Sequence, residues 1–204
     1  VTVRNGYAED GGAIVVLGAS PAIERCVFES NTAANTGGAV LCGIGFGDNS
    51  SPSFMNCTFT RNSAISGGAV ACNYSLPTFT DCAFTQNSAD LGGSLDCFLA
   101  TPKLRRCLFI ENTARRGGAV RCSNYASPEF ASCTFYGNSA NENGSSIDSD
   151  DSSPMLDRTI IAKGGEGAAA VYALPGVFVP YLSCCDIWGN AGGSGDWVGR
   201  IGNQ

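Results

Sequence analysis

Histidine is absent from this chain of 204 residues, and charge is sparse: 12 Lys and Arg stand against 18 Asp and Glu, a net −6. Without imidazole, the commonest general base and metal ligand near neutral pH is gone. The negative balance argues against nucleic acid or an anionic membrane surface as a partner. No run of 18 apolar residues occurs, so no helix is expected to cross a bilayer. Nor does any stretch keep apolar residues at helical spacing for three turns, whereas apolar pairs two apart, such as Cys57/Phe59 and Val70/Cys72, are frequent. The chain therefore reads as a series of short strands.

What the sequence has in abundance is repetition. A Pro, a bulky apolar residue, a Cys, a Phe and an Asn return in one order about every 26 residues. The second copy runs Pro52, Phe54, Cys57, Phe59, Asn62, and the third Pro77, Phe79, Cys82, Phe84, Asn87. Copies headed by Pro154 and Pro180 are decayed; the first has Thr159 in place of Cys. A Gly doublet follows each Asn, as in Gly37-Gly38, Gly67-Gly68, Gly92-Gly93 and Gly117-Gly118, and a second Cys follows the doublet (Cys42, Cys72, Cys97, Cys122).

A meander of hairpins would need tight-turn signals every few residues, whereas a solenoid needs only that each coil pair in register with its neighbours. The sequence thus predicts an all-β, right-handed parallel β-helix of about seven to eight coils, with three short strands per coil. Stacking would make Phe28, Phe59, Phe84, Phe109 and Phe135 one interior column and Ile23, Phe54, Phe79, Leu104 and Phe130 a second. Asn31, Asn62, Asn87, Asn112 and Asn138 would line a corner, their amides bonding to backbone and to each other. Such a column is structural, because a catalytic amide need not recur in every coil. Residues 1–204 read as a single domain. The first residue falls inside a repeat and no signal segment precedes it, which leads us to expect a piece of a longer protein.

The 11 Cys admit two readings. Cys57 and Cys82 in one column, and Cys72 and Cys97 in the other, could be buried thiols acting as small apolar groups. They could instead be disulfides of an oxidising compartment. Pairing could then run within a coil (Cys26 with Cys42, Cys57 with Cys72) or across the next corner (Cys42 with Cys57, Cys72 with Cys82). Eleven is odd, so at least one Cys of a monomer is free. Zinc is disfavoured, since no local C-x-x-C spacing occurs.

Two alternating motifs carry a resemblance. G-G-A-[ILV] stands at Gly11–Ile14, Gly37–Val40, Gly67–Val70 and Gly117–Val120, with Gly92-Gly93-Ser94-Leu95 a variant; F-x-x-N stands at Phe28–Asn31, Phe59–Asn62, Phe84–Asn87, Phe109–Asn112 and Phe135–Asn138. Together they resemble the repeats of the chlamydial polymorphic outer membrane proteins and of related bacterial surface proteins, over roughly residues 5 to 190. The resemblance implies a secreted or surface-displayed passenger, commonly an adhesin. It implies neither catalytic residues nor a cofactor, and the outer-membrane barrel of such proteins has no counterpart in this chain.

The same fold class hosts pectate lyases, so an enzyme acting on acidic glycans is the alternative. Its base would come from the basic coil, which includes Arg105, Arg106 and Arg121, and acid pairs could come from Glu129 and Asp157 or from Asp81 and Asp96. No spacing singles these out as an acid, base and nucleophile, which points away from catalysis. Asp148, Asp150 and Asp151 form a short acidic turn that could hold Ca2+, the one cofactor considered. Binding is expected on the loop edge, where Gly43 to Ser51 is longer than its counterparts and Ile44, Phe46, Tyr74, Phe98 and Tyr125 recur; a glycan or a surface protein is the expected partner. Outward Thr58, Thr60, Thr85 and Thr134 suggest an ice-binding array, interrupted by Glu29, Leu108, Ile110 and Tyr136. The leading expectation is a non-catalytic extracellular β-helix segment serving as a spacer or adhesive module.

Overall fold

The computed structural model describes residues 1–165, 169–174 and 178–190 and the backbone of 197–198. Over these residues the chain winds into a parallel β-helix of about seven turns with no helix among them. The coil that starts at Pro77 shows the plan. Strands Thr78–Thr80, Ala83–Thr85, Ser88–Leu91 and Leu95–Phe98 follow one another. Each is joined to the next by a corner containing one left-handed residue: Asp81 (φ 54°), Gln86 (φ 55°), Gly92 (φ 61°) and, closing the turn, Leu99 (φ 49°).

The repeat thus holds four strands rather than the expected three. Two of its corners turn on Asp81 and Gln86 without a Gly, so the sequence around them reads as one continuous strand, although Asp in particular tolerates the left-handed region. Stacked coils give four parallel sheets. Sheet A contains Thr2–Arg4 and Ala83–Thr85, sheet B Tyr7–Asp10 and Ser88–Leu91, sheet C Ile14–Val16 and Leu95–Phe98, and sheet D Ala22–Glu24 and Thr78–Thr80. At the B-to-C corner of the coils from Gly37 to Gly118 the Gly doublet is favoured by geometry, and Ser145 takes the second place one coil on. Gly67 has φ +64°, and a Cβ on Gly68 would lie 2.1 Å from the Gly93 carbonyl oxygen one coil on.

Register puts like on like. Phe59 pairs with Phe28 and Phe84 in sheet A, and Phe79 with Phe54 and Leu104 in sheet D. The rings of the sheet A column stack nearly parallel, 4.9 Å apart for Phe28 and Phe59, 4.8 Å for Phe59 and Phe84, 4.8 Å for Phe84 and Phe109 and 4.5 Å for Phe109 and Phe135. The sheet D column meets them edge-on, as with Phe79 and Phe84 at 5.6 Å and 68°. Each such ring is fully buried, which stabilises the fold by on the order of 2 kcal/mol.

The five Asn lie fully buried at the A-to-B corner. Asn62 Nδ2 donates to Asn87 Oδ1 (3.0 Å) and to the Phe28 carbonyl (3.0 Å), and its backbone N–H donates to the same Asn87 oxygen (2.9 Å). Asn31, Asn87 and Asn112 repeat the pattern. Buried corner amides that would otherwise lack partners are thereby satisfied.

All eleven Cys are free thiols. Neither proposed disulfide pairing forms, because in-register stacking sets each Cys against its own counterpart one coil away: Cys42, Cys72, Cys97 and Cys122 are consecutive partners in sheet C. Burial, followed by bonding to Cys122 and Cys72, pushes the Cys97 thiol well above its ordinary range, so it stays protonated and packs as an apolar group.

Candidate binding groove

Sheet C departs from the regular alternation on its outer face. In Val40–Cys42, Val70–Asn73, Leu95–Phe98, Val120–Ser123 and Ile147–Asp150 the first and third residues pack in the core, except that Ser149 replaces Cys in the last. The second residue therefore points outward and would ordinarily be wet. Yet Leu41, Ala71, Asp96 and Asp148 are at most 6% exposed. Walls rise on either side of this face around Asp96. Thr36 and Ser66 at the end of sheet B rise on one flank, and Asn73, Tyr74 and Phe98 with Ile44 of the 43–51 insertion rise on the other. Together with Asp96 and Arg121 they enclose a cavity of about 290 Å³.

The insertion is anchored at its base. Asp48 Oδ1 accepts from the backbone N–H of Gly18 (3.1 Å) and of Ser50 (3.0 Å), and the Ser50 hydroxyl also bonds to the Asp48 carboxylate. This bonding, led by the Ser50 hydroxyl, holds the Asp48 carboxyl below its ordinary value. Beyond the anchor, Phe46 is 97% exposed and sets its ring edge-on to Tyr74 at 6.2 Å, and Tyr74 meets Phe98 at 5.6 Å. An aromatic row thus borders the cavity.

Its floor is charged at Asp96 and Arg121, and the charged cluster continues beside it. Arg121 Nη1 lies 3.4 Å from Asp96 Oδ1 and 3.2 Å from the Ser123 hydroxyl, and Nη2 lies 3.8 Å from Asp150. Arg116 Nε sits 2.9 Å from Asp148 Oδ2, and Nη2 lies 3.6 Å from Asp150. Three carboxylates share two guanidinium groups. The Arg116–Asp148 contact is one of charge without aligned hydrogen bonding. Arg116 Nε, Arg121 Nε and both Asp148 oxygens are buried and make no hydrogen bond among the described residues. Desolvation pushes the Asp96 carboxyl up to about 6 against the opposing pull of Arg121, and desolvation likewise raises Asp148 against Arg116. A buried charge that the stack does not require is costly, and perturbed carboxyls in a concavity mark candidate sites.

Residues 1–101 match the family model described as a right handed beta helix region. The chain is a right-handed β-helix repeat protein. No curated protein and no solved structure matches it.

Within this β-helix the residues singled out from sequence are partly brought together. Ile44, Tyr74 and Phe98 line one cavity, and Phe46 touches its rim. Tyr125 does not join them; it turns a C-to-D corner at φ 62° and packs edge-on against Phe178 at 5.0 Å. The lyase set is not assembled. Arg121 lies in the groove, but Arg105 is exposed on sheet D, and Arg106 at the D-to-A corner is held bidentately by Asp81 at 2.7 and 2.8 Å. Corner geometry thus separates residues that are neighbours in sequence. Of the acid pairs, Asp81 and Asp96 part, one at that corner and the other on sheet C; Glu129 and Asp157 stand on neighbouring sheet D strands and line one open pocket of about 350 Å³ with Arg105, but Glu129 is engaged by Lys103 and Asp157 by Arg158.

Of the acidic turn, Asp148 and Asp150 face Arg116, whereas Asp151 turns outward at a left-handed corner (φ 48°). Among the described residues no three His, Cys, Asp or Glu side chains are grouped so as to hold a metal ion. The sequence reading missed the covered outer face and the role of Asp96 in it. The available signal was the position before each second Cys, which reads Leu41, Ala71, Asp96, Arg121 and then Asp148 before Ser149. A larger hollow of about 560 Å³ lies over sheet B, but its Arg115 is already bridged to Asp90 (2.8 Å) and Glu142 (2.7 Å).

Proposed function

We propose that the protein is a non-catalytic, secreted or surface-displayed binding module that takes a glycan in the sheet C groove. The observation that supports this most is the cavity itself. It sets the rings of Tyr74 and Phe98 beside a charged pair, Asp96 and Arg121, in a volume suited to one or two sugar rings. Aromatic faces cover the apolar face of a pyranose, while buried polar groups fix its hydroxyls. Surface display is supported by the likeness of the repeats to those of bacterial surface proteins. Catalysis has less support because the arginines of a lyase are spread over separate faces, and the carboxylates of the acid pair that shares a face, Glu129 and Asp157, are each engaged by a cation.

A glycan array probed with the intact chain and with Tyr74→Ala and Phe98→Ala tests the reading. Binding of defined oligosaccharides that falls at least tenfold in both variants is expected. Binding unchanged in both, or release of unsaturated product from a polyuronate that is lost in Arg121→Ala, overturns it.

A further inference from the structure

The charge balance of the groove bears on what it holds. Asp96, Asp148 and Asp150 oppose only Arg116 and Arg121, so the cluster carries one negative charge in excess. Asp150 is reached at 3.6 Å and 3.8 Å and Asp148 at 2.9 Å, while Asp96 relies on a single guanidinium at 3.4 Å that also serves Ser123 and Asp150. Asp148 is sealed from solvent, but Asp96 borders the cavity. The under-compensated carboxylate is therefore the one that an occupant can reach. An acidic sugar would bring like charge to it, and a neutral sugar would leave it as it is. A protonated amine would supply the missing positive charge at a carboxylate that is itself largely shielded from water, where a charge-assisted hydrogen bond is strengthened. The net −6 of the chain draws cations in the same sense.

Resting on the glycan-binding reading, we propose that the groove selects amine-bearing saccharides: a ring against Tyr74 and Phe98, with its ammonium group on Asp96 as the specificity-determining contact. The pH dependence follows from the groups that surround Asp96. Arg121 faces it from the next coil and Asp148 from the coil beyond, while Cys72 lies on the coil before. Asp148 has its own carboxyl raised by burial, and its protonation in acid removes a further negative charge, which weakens cation binding in the same direction. Affinity for the amine is thus expected to fall as pH drops through about 6; a sugar amine gains its own proton over the same range, which acts against the fall, so a loss in acid is owed to the protein's carboxyls.

The test measures calorimetric affinity of the intact chain for a glucosamine tetramer and for its fully N-acetylated counterpart, at pH 7 and pH 5 in low salt. The expected result is about tenfold tighter binding of the amine form at pH 7. That preference should be lost at pH 5 and in Asp96→Asn. The pH arm uses the unaltered protein and so does not depend on the variant folding. Equal binding of the two tetramers, with both weakened by Tyr74→Ala, overturns the amine selection and leaves the glycan groove standing. Amine binding that survives Asp96→Asn and Tyr74→Ala together marks diffuse attraction to a negative protein and overturns the proposal. No binding of either tetramer overturns it as well; the array then decides whether the groove reading falls with it.

Discussion

Sheets A and C each contain eight strands in the same parallel register, yet their outer faces differ. On sheet A the outward positions of four successive coils are Thr58 and Thr60, Ala83 and Thr85, Leu108 and Ile110, and Thr134 and Tyr136: none is charged and all are at least partly exposed. On sheet C the equivalent row runs Leu41, Ala71, Asp96, Arg121, Asp148; it is mostly buried and three of its members are ionisable. Backbone register does not dictate this difference. The walls at the B-to-C and C-to-D corners do, because they turn an outward row into the floor of a groove. Where the stack exacts nothing, as on sheet A, polar and apolar residues interchange freely. Where charge is kept buried and does not recur from coil to coil, as at Asp96, the stack does not account for it, and this motivates the binding role proposed above.

Inward positions should be indispensable in both sheets, and outward positions should matter only in sheet C. The strongest blow is Phe84→Asp, which leaves an unpaired charge in a dry ring column. Circular dichroism and thermal melting should show no cooperative transition, and a variant that melts like the parent would break the register described above. Next comes Asn87→Ala, which strips the corner of an amide that donates to Asn112 and to the Phe59 carbonyl and accepts from Asn62. With buried groups left unpaired on both sides, a loss of about 2–4 kcal/mol is expected in urea unfolding.

Asp96→Asn should act in the opposite sense. The folded carboxyl titrates at about 6 and the unfolded one near 3.8, so the folded state holds the proton more tightly. Its stability is undiminished below the unfolded value, declines as pH rises between the two, and is lowest above about 6. The variant should therefore be more stable than the parent at pH 7.5, by up to about 3 kcal/mol, and indistinguishable from it near pH 4. A variant less stable at both pH values would mean that Asp96 serves the stack rather than a ligand. The smallest effect belongs to the outer face of sheet A, where Thr85→Lys should shift stability by less than about 0.5 kcal/mol. A larger loss there would erase the contrast between the two faces.

The same contrast explains what could be read from the sequence. The Phe and Asn columns were legible because every coil needs them, so the period amplifies them. The aromatic edge at Ile44, Tyr74 and Phe98 was legible because the insertion breaks the period. The four-strand coil was not, since Asp81 and Gln86 turn corners without the Gly that announces one. Asp96 was not legible as part of a groove, because its covering walls come from Thr36 and Ser66, residues distant in sequence and unremarkable alone. Arg105, Arg106 and Arg121 looked like one basic set because they share a coil, but a coil with four corners faces four ways.

The asparagine column has a direction as well as a composition. Each side-chain carbonyl from Asn62 to Asn138 accepts from the coil before it, so all of these carbonyls point toward the first coil. The column is a line of aligned dipoles, an electrical polarity threaded through one corner of the rod. A coil inserted with the same sense of winding continues that line, whereas one docked in reverse would set carbonyl against carbonyl. The rod can thus be lengthened by duplicating a unit such as 77–101 without altering any neighbour, and its length is free to vary while its orientation is not.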